Sequence, residues 1–228
     1  MEKMNKSNRR TLINKNSDTL WGYFFILPAI IGLILFYFGP MLFSFFISFT
    51  SWDIIRPPQW ILFENYSRVF NDELTMKSLG VTLYYTLIAV PATTIVSLLT
   101  AVLLNSKIKG LSFFRTALYI PSIVPMVANV ALWMFLYNPA FGLFNHFLGL
   151  FGIPPQEWVY AKETVVPSLA LMAVWGSGNT IVIYLAGLQG IPHDLYESVE
   201  IDGGNVIHKF FNVTLPMLSP VIFFNMVM

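Results

Sequence analysis

The chain has 228 residues, 56% of them hydrophobic and only 11% charged, with a formal net charge of +1 and no cysteine. A soluble domain of this length could not hide so much apolar surface, so the composition points to an integral membrane protein. The near-neutral charge argues against a nucleic-acid partner, and without cysteine the chain has no disulfide framework and no thiolate site.

Charges fall in five patches, at residues 2–18, 53–77, 107–115, 157–163 and 194–209. The stretches 19–52, 78–106, 116–156, 164–193 and 210–228 hold no Asp, Glu, Lys or Arg. A hydrocarbon core needs about 20 apolar residues of helix, and the first four stretches are each long enough. The fifth has only 14 residues from Leu215 onward. It reads as an interfacial tail or, the preferred reading, as a span cut off before its end.

Residues 1–18 read as a polar cytoplasmic arm. A basic head (Lys3, Lys6, Arg9, Arg10 and Lys15) precedes an apolar run too long for a signal-peptide core, so the first helix should stay in place as an anchor. Span one is predicted over about Trp21 to Phe49, bracketed by Trp21 and Trp52. A short helix around Phe63 to Phe70 lies in the loop that follows. Span two covers about Leu79 to Leu104, followed by a short basic loop, Asn105 to Arg115. Span three covers about Thr116 to Tyr137, with Pro121 and Pro125 near one end. Asn138-Pro139 and Gly142 break the long run, and Phe144 to Phe151 should lie along the outer surface. Trp133 and Tyr137 read as interfacial belt residues. Span four covers about Val165 to Leu188, closed by Gly190 and Pro192.

The patches carry 5, 3, 3, 1 and 1 Lys or Arg in chain order. A cytoplasmic amino terminus places nine of these bases inside and four outside, as the positive-inside rule prefers. The segment after span four, LYESVEIDGG, is then cytoplasmic. Intramembrane charges that would couple ion flow to transport are missing from the spans. No span places an acid or His beside a Ser or Thr, no catalytic or metal site is recognisable, and no cofactor is expected in this chain.

Within the polar segment, Asp194-Leu195-Tyr196-Glu197 resembles a capping box. Gly203-Gly204 would end that helix. Asn205 can cap a second short one, in which Val206/Phe210 and Ile207/Phe211 are apolar pairs at i, i+4. Leu215-Pro216 would close it. Such a hairpin is either an ordinary helical loop on the membrane surface or a docking element for a protein. Mid-span, Trp175, Ser177 and Asn179 alternate with Gly176 and Gly178. An aromatic beside an amide suits a sugar, but Trp packing and Gly-mediated helix crossing is the favoured reading.

Glu197 is followed six residues later by Gly203 and ten after that by Val213, with Leu215-Pro216 next. This is similar to the EAA loop of binding-protein-dependent ABC importer permeases. The IDGG and TLPMLSP flanks resemble the carbohydrate-importer branch that includes maltose and glycerol-phosphate permeases. Ser198 and Val199 stand for the two usual alanines, Gly204 for the usual Ala after Gly203, and Val213 for Ile. FILPAIIGLILFYFGPMLFSFFISFTSWD, FENYSRVF and GLSFFRTALYIPSIVPMVANVALWMFLYNPAFGLFN resemble further parts of the family. Val81-Thr82 departs from the usual Asn-Thr.

The resemblance implies an all-α, polytopic transmembrane helical bundle of the type I importer permease class. About five spans would be present, the last incomplete in a sequence truncated at its C-terminus. Residues 19–228 would form the permease domain, with a coupling loop at 193–216. It implies a multi-pass protein of the cell membrane with a cytoplasmic amino terminus, serving an ATP-driven importer for a sugar or sugar-like solute. Its partners would be ATP-binding cassette ATPase subunits, a second permease, an extracytoplasmic solute-binding protein and the lipid bilayer. ATP hydrolysis would lie on the separate subunits. Glu197, Gly203, Leu195, Val199, Phe210, Leu215 and Pro216 would carry the coupling loop; Trp175 and Asn179 are candidates for the substrate pathway. The alternatives are a membrane scaffold that binds a cytoplasmic partner without transport, and a secondary solute carrier.

Overall fold

The computed structural model describes residues 19–106 and 109–228. The proposed arm at 1–18 lies outside the described residues. The chain divides into two compact units, residues 1–76 and 77–228.

In the first unit, α1 runs Thr19–Ile47 and is 29 residues long, enough to cross a bilayer. One turn, Ile34–Phe38, is widened, and the Gly39 N–H donates to the carbonyl of Ile34, five residues back. The cause is the next residue, Pro40. A proline ring in a regular helix collides with the carbonyl four residues before it, and a widened turn moves that carbonyl aside. After α1 a two-residue hairpin pairs β1 (Thr50–Ser51) with β2 (Gln59–Trp60), Thr50 opposite Trp60. Helix α2 (Glu64–Asn71) is tied to it by Asn65, whose amide donates to the carbonyls of Ser48 and Thr50, each at 2.9 Å. The Asn-Tyr pair of FENYSRVF therefore closes this loop, with Tyr66 Oη sharing a 2.6 Å hydrogen bond with Ser48 Oγ.

Helix α3 (Glu73–Leu104) begins about two turns earlier than expected. Asp72 explains the early start. Its carboxylate accepts from the Thr75 N–H at 2.9 Å and from the Thr75 hydroxyl at 2.5 Å, as an N-cap does. Those bonds hold the Asp72 carboxyl below its ordinary range.

The expected third span is two helices, α4 (Leu111–Ile123) and α5 (Met126–Leu136), bent by 100°. Pro125 makes the break. It supplies no N–H and forces Val124 into extended backbone, with ψ 131°. Helix α6 (Leu143–Gly149) follows, at the segment expected to lie along the surface. The fourth span is also bent, by 49° at Gly176-Ser177, between α7 (Val165–Trp175) and α8 (Gly178–Gln189). After α9 (His193–Ile201), α10 runs Val206–Val227. Counting each bent pair as one span, the described residues hold five candidate spans and, apart from the two-residue hairpin, no strand, which is the all-α class that the sequence indicates.

The core of the second unit joins Leu98, Ala101 and Leu104 of α3 to Ile181, Tyr184, Leu185 and Leu188 of α8 and Leu218 of α10. Two glycines set the helix spacing. A Cβ on Gly187 would lie 2.8 Å from Leu218 Cδ2, and one on Gly178 would lie 2.9 Å from the backbone oxygen of Leu118. These are the close crossings that small residues permit between membrane helices.

Trp133 and Tyr137 are not belt residues: they are 4% and 1% exposed. The bend at Pro125 and the return of the chain through α6 and α7 enclose them. Trp133 meets Trp175 edge-on at 5.5 Å, Tyr137 stacks on Trp158 at 5.1 Å, and Tyr137 Oη donates to the Ser168 carbonyl at 2.9 Å. Asn145 organises the neighbouring loop, accepting from Gln156 N–H and Trp158 Nε1 and donating to the carbonyls of Pro139 and Gln156.

Candidate functional site: the hairpin between α8 and α10

Helix α9 begins at His193, with Pro192 at its N-cap position. The expected cap at Asp194 is not formed. Pro192 starts the helix early, so Asp194 falls inside the first turn, where a carboxylate still favours the positive helix end. Glu197 reaches back to His193 Nδ1 at 3.1 Å, and Ser198 Oγ donates to the Asp194 carbonyl at 2.8 Å. The Glu197 side chain remains 60% exposed.

The C-terminus of α9 is a Schellman motif. Gly203 has φ +78°, its N–H donates to Glu200 O at 3.0 Å, and the Gly204 N–H donates to Val199 O at 2.8 Å. The left-handed backbone here needs a residue without a Cβ. Asn205 then caps α10, accepting from Ile207 N–H and His208 N–H at 3.0 Å each. His208 Nδ1 completes the cap by accepting the Asn205 N–H at 3.2 Å.

Leu215-Pro216 does not close this helix. The chain continues through a widened turn, Phe210–Thr214, with the Leu215 N–H donating to Phe210 O five residues back. The arrangement repeats that at Gly39-Pro40, and Pro216 is its cause for the same steric reason.

The seven predicted loop residues occupy different settings. Glu197 and Leu195 are exposed, Val199 is half-buried beneath Gly204, and Gly203 is the turn itself. Phe210 and Leu215 pack on the core of α3, α8 and α10, while Pro216 is exposed on α10. Three apolar residues outside the predicted set flank the turn uncovered: Ile201 is 86% exposed, Val206 79% and Ile207 64%. Their signal is present in the sequence, since Val206-Ile207 sits in an otherwise polar segment. Two ties between α9 and α10 are not legible there. Tyr196 Oη shares a 3.1 Å hydrogen bond with Thr214 Oγ1, and Lys209 Nζ donates to Glu200 Oε1 in an ion pair. Lys209 holds the Glu200 carboxyl below its ordinary range.

Trp175 and Asn179 lie on either side of the bend between α7 and α8 and are both exposed. Ser177 between them donates to the Val174 carbonyl. A cavity of about 470 Å³ between α3 and α7 is lined by Val81, Thr82, Tyr85, Val166, Leu169, Met172 and Ala173, one turn before Trp175. Among the described residues, no three His, Asp or Glu side chains gather as a metal site would need.

Residues 82–228 match the family described as binding-protein-dependent transport system inner membrane component. The chain is 40% identical over 214 residues to the probable ABC transporter permease protein YesP of Bacillus subtilis, covering 92% of this chain and 69% of that protein. It is 32% identical to the trehalose/maltose transport system permease protein MalF of Thermococcus litoralis, covering 94% of this chain and 74% of that protein. Its fold is shared with a chain of a bacterial alginate ABC transporter crystallised with an alginate pentasaccharide-bound periplasmic protein. The TM-score is 0.76 at 22% identity, over 92% of this chain and 70% of that one.

Proposed function

The chain belongs to the family of binding-protein-dependent transport system inner membrane components, and from that premise we propose that it is the permease subunit of an ATP-driven importer for a sugar or sugar-like solute. The observation that carries the reading is the hairpin between α8 and α10: a Gly203 turn at Glu197-to-Leu215-Pro216 spacing, with an exposed apolar tip. The sugar class is supported by the trehalose/maltose permease relative and by the alginate transporter that shares the fold.

In this reading the amino terminus is cytoplasmic, as the distribution of Lys and Arg favours, and the hairpin is cytoplasmic too. It docks on a separate ATP-binding cassette subunit. Ile201, Val206 and Ile207 enter the apolar part of that subunit's cleft, and Glu197 meets its basic or polar groups. A second permease completes the pathway, and a solute-binding protein delivers cargo from outside. Closure of the ATPases rocks the spans and alternates access. Ionisable groups at membrane depth are then unnecessary, which agrees with the uncharged runs 19–52, 78–106, 116–156, 164–193 and 210–228 that make up the middles of the spans.

Uptake measured in vesicles holding the complete transporter tests this. Sugar accumulation should require ATP and resist ionophores, and an ATPase should co-purify with the chain. Accumulation that survives without ATP and collapses with ionophores would make it a secondary carrier. No accumulation at all, with a cytoplasmic partner still bound, would make it a scaffold.

A further inference from the structure

Tyr196 and Glu200 are four residues apart, so they share one face of α9. They reach Thr214 and Lys209 on α10. Those two partners are five residues apart. In a regular α-helix such residues point about 140° away from each other, and both could not face α9. The widened turn Phe210–Thr214 lies between them. Its hydrogen bonding runs five residues back instead of four, which brings positions five apart into axial register. Thr214 is buried and three-quarters of the Lys209 side chain is covered, while Glu200 stays 61% exposed, so Tyr196–Thr214 sits inside the joint and Glu200–Lys209 at its solvent edge.

We propose that Tyr196–Thr214 and Glu200–Lys209 form a two-point clamp that makes α9 and α10 move as one body, with the widened turn before Pro216 holding the two partners in register. Tyr196, Glu200, Lys209 and Thr214 are thus positioning residues for the transmission step, and Pro216 acts through the turn it imposes. The inference rests on the proposed importer function. A single hydrogen bond here would otherwise allow α9 to swivel about the Gly203 turn when pushed, and the push would be lost before reaching the spans. Two contacts one helical turn apart prevent rotation as well as separation.

The test uses the assembled transporter in vesicles, reading solute taken up per ATP hydrolysed. Tyr196→Phe should lower that ratio by about threefold, the scale of one lost net hydrogen bond, and Glu200→Lys, which sets two like charges side by side, should lower it by about twofold or more. Lys209→Glu should do the same, and Glu200→Lys combined with Lys209→Glu should restore most of the ratio. Tyr196→Phe combined with Thr214→Val should be no worse than Tyr196→Phe alone. An unchanged ratio in Tyr196→Phe, or a charge swap that fails to recover, overturns the clamp. If the unmodified transporter shows no ATP-driven uptake, the importer reading itself fails, which is a separate result.

Discussion

A Cβ placed on Gly204 would lie 2.4 Å from Cγ1 of Val199 and 2.8 Å from the Val199 carbonyl oxygen, so these two residues occupy one shared space. The Gly204 N–H also closes the end of α9 on that same carbonyl, at 2.8 Å. The family pattern has alanine at both positions. Here the Val199 side chain fills space that a methyl on residue 204 would need, and the Val199 carbonyl crowds the same point from the backbone.

Gly204→Ala should therefore destabilise the hairpin by about 1–3 kcal/mol, the usual cost of overpacking. Val199→Ala in the same chain should recover only the part of that loss due to Cγ1, because the Val199 carbonyl oxygen stays 2.8 Å from the added methyl. Thermal unfolding of the purified protein in detergent, run as a double-mutant cycle, checks this. Additive losses would show that the two positions are independent.

Gly178 makes a similar claim at the crossing of α8 and α4. Its absent Cβ would meet the Leu118 carbonyl at 2.9 Å and the Tyr119 Cα at 3.1 Å, and backbone cannot step aside as a side chain can. Gly178→Ala should cost about 1–3 kcal/mol in the same unfolding measurement. Gly22→Ala in α1 is the control: nothing lies within 4 Å of the point where the added methyl would sit, and the change should be neutral or slightly stabilising.

Most of the spans are legible in the sequence because long uncharged runs between charged patches leave few choices of element. The bends are not. Pro121 and Pro125 look alike in the sequence, yet α4 runs through Pro121 and breaks by 100° at Pro125. Which proline breaks a helix depends on whether its neighbours can re-satisfy the freed backbone groups, and that is a property of the packed state. The burial of Trp133 and Tyr137 is hidden for the same reason, since it follows from the bend. In the hairpin, the Gly203 turn and the Asn205 cap are readable from local chemistry. The Tyr196–Thr214 and Glu200–Lys209 ties are not, because a widened turn shifts the helical register that pattern reading assumes.

The Glu200–Lys209 pair gives a pH dependence of definite sign. The folded state holds the Glu200 carboxyl below its ordinary value near 4.5, so the pair's contribution is fully present above that value and is lost as pH falls through the depressed one. The stability difference between the unmodified protein and Glu200→Gln should be constant near neutrality and vanish under acid. Unfolding curves of the two proteins across pH read it directly. A difference that grows on acidification would mean the carboxyl is held above its ordinary value.

Glu197→Lys should leave membrane insertion intact, since the Glu197 side chain is 60% exposed and bonds to His193 within its own helix. It should abolish uptake in the assembled transporter by reversing the charge offered to the ATPase. Membrane fractionation and uptake assays on one preparation separate the two effects. Insertion lost together with uptake would make Glu197 a structural residue.

The hairpin's contact with the ATPase is the claim on which the rest depends, and cross-linking tests it most directly. These 228 residues hold no cysteine, so Ile207→Cys adds a thiol at a chosen point of the hairpin, which can be labelled with a short photoactivatable cross-linker in an assembled transporter otherwise free of cysteine. Ile207 is exposed at the hairpin tip, and the account predicts a cross-link to the ATP-binding cassette subunit whose yield changes when ATP is added. An active transporter in which Ile207→Cys cross-links only to lipid or to another membrane subunit would contradict it.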